Sequence, residues 1–229
     1  MSQENLVSKL QSIINAKHLL QHPFYQHWEK GTLPKEILAK YAEQYYHLER
    51  NFPRFLSQIH TNCDEPAIRQ TITENLYDEE HGEANHRELW LRFAESVGAS
   101  REAVQASTPL PETLETLNTF TKLSQESTLA GVSALAAYEH QIPAVSMKKI
   151  AGLQKNYGIT DERGLAFFRV HGTMDIAHAN AWWNIIKEDA ITPTQQSTAE
   201  QAVTEGRDAL WNFLTGICRA YFPEALASC

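Results

Sequence analysis

Three stretches of this 229-residue chain put metal-ligand side chains where a packed helix should carry apolar ones. The first reads Ile72, Leu76, Glu79, Glu83, His86, Trp90, Phe93, Val97 at alternating steps of three and four. The second reads Leu129, Val132, Ala136, Glu139, Pro143, and the third Phe168, His171, Asp175, His178, Trp182, Ile185. His171, Asp175 and His178 share one helix face, and Glu79 and His86 stand nearly two turns apart. A carboxylate taken out of water unpaired is strongly destabilising. No Arg or Lys falls in these seam positions, so the three His and three or four carboxylates need a common source of positive charge. Two divalent or trivalent metal ions would supply it, as in helical bundles that hold dinuclear carboxylate sites. A large set of oxygen and imidazole donors suits iron or manganese better than zinc. The set departs from ferritin-like sites, because no Glu-x-x-His occurs at these positions; His81 completes only Asp78-x-x-His81. Glu83 could support the site or point aside, and His81 and His140 fall off the seam.

The elements that must position these groups are helical. Apolar periodicity predicts helices over about 3–16, 23–31, 34–61 with a kink at Pro53, 65–98, 112–123, 127–153 with a kink at Pro143, 161–189 and 193–220. The stretch 99–112 reads as a connection. The third helix carries the seam Tyr41, Tyr45, Leu48, Phe52, Phe55, Ile59. No run of alternating β-branched residues suggests a strand, and only 10 Gly and 9 Pro argue against a loop-rich β protein. No linker, repeat or charge block divides the chain, so the expectation is one all-α domain over 1–229 with seven or eight helices.

Composition narrows the function classes. Hydrophobic residues at 42% allow a packed core, and a net charge of −8 gives nucleic-acid binding no electrostatic support. The N-terminal residues lack the basic start and apolar run of a secretory signal. No window reaches the roughly 18 apolar residues of a membrane span. The odd set Cys63, Cys218 and Cys229 lacks CxxC spacing, so a reducing, cytoplasmic setting is expected, with Cys229 an exposed thiol.

The block from Leu76 to His86, the Tyr138-Glu139-x-Gln141-Ile142-Pro143 segment and His171-x-x-x-Asp175-x-x-His178 together resemble the CADD family (Chlamydia protein associating with death domains). That family belongs to the heme-oxygenase-like di-metal oxidases and is related to the pyrroloquinoline quinone synthase PqqC. The likeness includes Lys17-His18-x-Leu20-x-His22-x-Phe24-Tyr25-x-x-Trp28-x-x-Gly31 and runs to about Trp211. The resemblance implies an all-α, heme-oxygenase-like or PqqC-like seven-helix bundle. It implies Glu79, His86, Glu139, His171, Asp175 and His178 as ligands to an Fe/Fe or Fe/Mn pair, with O2 as co-substrate. It further implies a self-sacrificing oxygenase that makes p-aminobenzoate for folate synthesis from one of its own tyrosines. Tyr25 matches the sacrificed residue, Lys149 the proposed amino donor, and Tyr41 a tyrosine near the site. On that implication O2 is activated at the reduced metals, the Tyr25 ring is cleaved from the backbone, and its phenolic oxygen is exchanged for nitrogen from Lys149. An external reductant and a homodimer are expected; a nucleic-acid or membrane partner is not. His18 and His22, close to Tyr25 in sequence, are candidates to support the site. Three other readings stand beside this one: an oxygenase for a separate small molecule, a metal-free PqqC-like oxidase, and a protein-binding module of the death-domain kind.

Overall fold

The computed structural model describes residues 3–227, so the expected exposed thiol at Cys229 lies outside the described residues. Cys63 and Cys218 are both buried. The elements are α1 (Gln3–Asn15), α2 (Pro23–Lys30), α3 (Lys35–Glu49), α4 (Phe52–Asn62), α5 (Pro66–Glu80), α6 (His86–Ser96), α7 (Arg101–Ala106), α8 (Pro111–Glu126), α9 (Thr128–Glu139), α10 (Ile142–Asn156), α11 (Glu162–Asp189) and α12 (Pro193–Tyr221). No strand occurs among the described residues. Nor is any helix there long and apolar enough to cross a membrane.

Helix α9, TLAGVSALAAYE, is the axis of the bundle. It is apolar on all sides and buried from Leu129 to its final Glu139, as a helix with no polar face must be. It packs against α8, α11 and α12. Glycine permits close approach where α2 meets α10: a Cβ on Gly152 would stand 2.7 Å from the Trp28 ring.

Three of the expected long helices are each two helices. The segment 34–61 divides at Arg50–Asn51 into α3 and α4, and 127–153 divides at His140–Gln141 into α9 and α10. In both, a proline (Pro53, Pro143) sits in the first turn of the second helix, where its missing N–H costs nothing and its ring blocks continuation from before. The segment 65–98 divides at residues 81–85. There Gly82 takes a left-handed φ of 79°, and the Asn85 side chain accepts from the Glu88 amide at 3.0 Å to start α6. The connection 99–112 holds the short α7. Among the described residues twelve α-helices therefore stand where seven or eight were expected.

These breaks have a chemical consequence. Glu49 is the last residue of α3, Glu79 the next to last of α5, Glu139 the last of α9, and His86 the first of α6. Three carboxylates thus sit at the negative ends of helix dipoles, the unfavourable end for an anion.

Candidate metal centre

Helix α11 runs unbroken and presents His171, Asp175 and His178 from its middle. Against it come the ends of α3, α5 and α9 and the start of α6. The ligand-type atoms collect into two groups. Glu49, His86 and His171 form one; Glu139, Asp175 and His178 form the other; in each, the donor atoms lie within 4.8 Å of one another. Glu79 lies between them. Its Oε2 is 2.9 Å from His86 Nδ1 in the first group, and its carboxyl is raised by burial and then by Glu139 of the second. All six ligands expected from sequence are therefore brought together.

Glu49 is the member that sequence reasoning missed. It is 4% exposed and ends the helix that carries Tyr41 and Tyr45. The signal was present, since Tyr41, Tyr45 and Glu49 follow each other at steps of four and share a face. Leu48, equally in phase with the apolar seam, masks it. Glu83 is exposed in the 81–85 loop and takes no part. His81 is exposed and stacks on Tyr77 at 4.1 Å, while His140 packs edge-on against Trp183.

The electrostatics of the cluster call for cations. Burial raises Glu49 to about 8, helped by Glu79. Burial also raises Asp175 well above the usual carboxylate range, and Glu139, Glu79 and Glu49 add to it. Glu49 Oε1, His86 Nδ1, Asp175 Oδ2 and His178 Nδ1 are buried without a hydrogen-bond partner. Orphaned buried donors and acceptors are rare in native proteins and point to an ion. The surrounding contacts orient the same atoms. His171 Nδ1–H donates to the Phe167 carbonyl at 2.8 Å, which leaves Nε2 as its free donor atom. His178 Nε2–H donates to Asp78 Oδ2 at 3.2 Å, leaving Nδ1 facing Glu139 and Asp175 at 3.4 and 3.8 Å. Burial lowers the His178 pKa, but Glu139 and Asp78 outweigh it and hold the imidazole above its ordinary value. Glu139 accepts from Asn75 Nδ2 at 3.0 Å and from Trp182 Nε1. Such outer contacts fix ligand orientation in metal sites. The donor set, four carboxylates and three imidazoles, fits a pair of iron- or manganese-class ions.

Beside this cluster lies a second constellation. Tyr25, Tyr41 and Lys149 come from α2, α3 and α10, and all three are buried. Tyr25 Oη and Tyr41 Oη are 3.2 Å apart, and Lys149 Nζ donates to Tyr41 Oη at 2.6 Å. The ammonium lies 5.2 Å from the Tyr25 ring centroid and 4.9 Å from that of Tyr41. Aromatic faces offset part of the cost of burying a cation. Even so, burial pulls Lys149 down to about 7, against the pull of Glu49 the other way. Burial raises both phenols, so they stay protonated at neutral pH. Tyr45 directs its hydroxyl to Tyr138 and away from this group. Lys148, the sequence neighbour, is exposed and pairs with Glu29, so the two lysines have separate fates.

His18 and His22 do not reach the cluster. His18 Nδ1 accepts from the Leu20 amide and His22 Nδ1 from the Phe24 amide, each at 3.1 Å. They cap the turn and the helix that carry Tyr25 and so fix where its ring enters the core.

Comparison with known proteins agrees with this geometry. A family described as iron-containing redox enzymes matches residues 39–211. A 4-aminobenzoate synthase from Nitrosomonas europaea is 41% identical, covering 96% of this chain and 94% of its own length. One from Chlamydia muridarum is 37% identical, covering 92% and 89%. A Shewanella denitrificans domain of unknown function with a heme oxygenase-like fold superposes with a TM-score of 0.80 at 18% identity, covering 96% of this chain and 94% of that one.

Proposed function

Since the chain belongs to the iron-containing redox enzymes of heme-oxygenase-like fold, and within them to the CADD-like family of its 4-aminobenzoate synthase relatives, we propose that it forms p-aminobenzoate from its own Tyr25. The observation that carries this reading is the placement of a buried amine, Lys149, over the ring of a buried tyrosine beside a carboxylate–imidazole cluster. Two ions of iron, or one of iron and one of manganese, would supply reductive activation of O2 there, held by Glu49, Glu79, Glu139, His86, His171, Asp175 and His178.

The chain's own residues do the rest. Phe24, Trp28 and Tyr41 surround the Tyr25 ring with centroids 5.0–6.3 Å apart across the set, which excludes water and limits the ring to one position. Tyr41 accepts from Lys149 Nζ and shares a hydrogen bond with Tyr25 Oη, so the amine and the phenolic oxygen it is to replace share one intermediary. With its pKa near 7, Lys149 holds a large neutral fraction at neutral pH, the form with a free electron pair for the ring carbon. The four crowded carboxylates support the metal-dependent reading over a metal-free PqqC-like oxidase.

The product serves folate synthesis in the cytoplasm, with electrons from an external reductant, and the working form is a homodimer without nucleic-acid or membrane partners. Sedimentation velocity checks the dimer. The main test expresses the protein with iron and manganese, supplies reductant and O2, and measures p-aminobenzoate and intact mass. The expected result is at most one product molecule per chain, with a matching loss of the Tyr25 side chain, and none from Tyr25→Phe. Equal product from that variant would overturn the assignment.

A further inference from the structure

A polar cavity of about 190 Å³ opens at the break between α3 and α4 and is lined by Glu49, Arg50, Glu79, Glu80, Asn85 and Arg87, with Pro53. It joins solvent to one edge of the cluster, because Glu49 and Glu79 are both wall residues and cluster members. Glu49 Oε1, buried and without a hydrogen-bond partner, belongs to that wall. Arg50 and Arg87 are exposed at its rim, and neither guanidinium has an ion-pair partner among the described residues. Nearby arginines such as Arg92 and Arg101 are fully engaged with Glu88 and Glu95, so the two free ones are distinctive. Asn85 is committed as a helix cap and adds no recognition.

With Glu49 and Glu79 engaged by metal, Arg50 and Arg87 outnumber the one remaining carboxylate of the wall, Glu80. We propose that the loaded cavity docks a small anionic reductant of the enediolate class, which delivers electrons to the centre at the Glu49–Glu79 edge. The proposal rests on the oxygenase reading and names the reductant class that it needs. Size supports it: the volume holds roughly six waters at ~30 Å³ each, and it falls below the roughly 300 Å³ at which pockets for drug-sized ligands begin. A single-ring acid fits, and a flavin or nicotinamide nucleotide does not. Planar guanidiniums pair well with paired oxygens of such an acid. Ascorbate is the probe: its monoanion gives two electrons and one proton, becomes dehydroascorbate, and reduces two ferric ions to ferrous.

The test has two arms. Calorimetry measures ascorbate binding to zinc-loaded protein, where no electron transfer occurs. Stopped-flow absorbance measures anaerobic reduction of the ferric-loaded protein by ascorbate and by neutral hydroquinone. Arg50→Gln and Arg87→Gln should each weaken ascorbate binding about tenfold and slow its reduction step by a similar factor, with the lysine variants recovering most of the loss. Hydroquinone rates should not move. Rising salt should slow ascorbate only. Equal slowing with both reductants would mean a structural disturbance of Glu49 and would overturn the docking site, as would unchanged ascorbate rates in both variants. Neither readout uses p-aminobenzoate, so a failed Tyr25→Phe test of the function and a failed docking test are separate results.

Discussion

Replacing Lys149 with Met should make the protein more stable and unable to form p-aminobenzoate. A fall of the amine pKa from 10.5 to about 7 corresponds to ~5 kcal/mol against the charged form in the fold. Methionine removes that burden and keeps the length of the side chain. Part of the gain is lost with the hydrogen bond to Tyr41, although Tyr41 retains Tyr25 as a partner. Exchanging a buried ion for an apolar group of similar volume stabilises by ~1–4 kcal/mol in known cases, so a net gain of about 2–3 kcal/mol is expected. For a chain of this length that is roughly 4–12 °C in Tm. The pH dependence is the sharper readout. The folded pKa is lower than the unfolded one, so below pH 7 both states hold the proton and the wild type bears the whole penalty. Between about 7 and 10.5 the unfolded chain binds a proton that the folded chain does not, and wild-type stability rises by ~1.4 kcal/mol per pH unit relative to the variant. Calorimetric scans of chelator-treated protein at pH 6, 7.5 and 9 should show the advantage of the variant falling by about 3 kcal/mol over that range. The opposing charge is Glu49, present in both proteins. A constant or widening gap would refute the reasoning, because it would mean that the amine stays charged in the fold, paired with Glu49.

Other substitutions separate the parts of the site. Tyr25→Phe removes only a hydroxyl bonded to Tyr41, so a stability loss of about 1 kcal/mol or less should accompany complete loss of product, seen by scanning calorimetry and chromatography. Glu49→Gln and Asp175→Asn should each lower the bound metal by about one ion per chain, as they fall in different groups, while Glu83→Ala leaves elemental analysis unchanged. Gly152→Ala drives a methyl to 2.7 Å from Trp28 and should cost ~1–3 kcal/mol by overpacking, measurable by urea unfolding, with α2 and hence Tyr25 displaced.

The helical class and the α11 members of the cluster were legible because α11 is one unbroken helix and its His171, Asp175 and His178 interrupt a clear apolar stripe. The breaks were less legible. Pro53 and Pro143 read as kinks, yet each begins a new helix, and the 81–85 turn hides in a stretch whose periodicity resumes on the far side. Glu49 was lost for that reason: a carboxylate ending a helix is not in the middle of a seam. Lys149 could be singled out only through the family resemblance. In sequence it is half of a Lys148-Lys149 pair, and which half is buried depends on the docking of α10 against α2 and α3. His18 and His22 show the converse, ligand-type residues whose work is to cap a backbone.

The position of Tyr25 bears on what the proposed self-sacrifice would leave behind. Its ring is part of the core, 5% exposed and enclosed by Phe24, Trp28 and Tyr41. Excising it leaves an empty space and a bare backbone in the interior of α2. Comparable truncations of a buried aromatic cost ~3–5 kcal/mol, and a glycine-like residue within a helix adds about 1 kcal/mol. Against a total stability of roughly 5–15 kcal/mol for a folded domain, such a loss would bring a spent chain nearer to unfolding. On the proposed reaction, supply of p-aminobenzoate would be set by translation, one polypeptide per molecule.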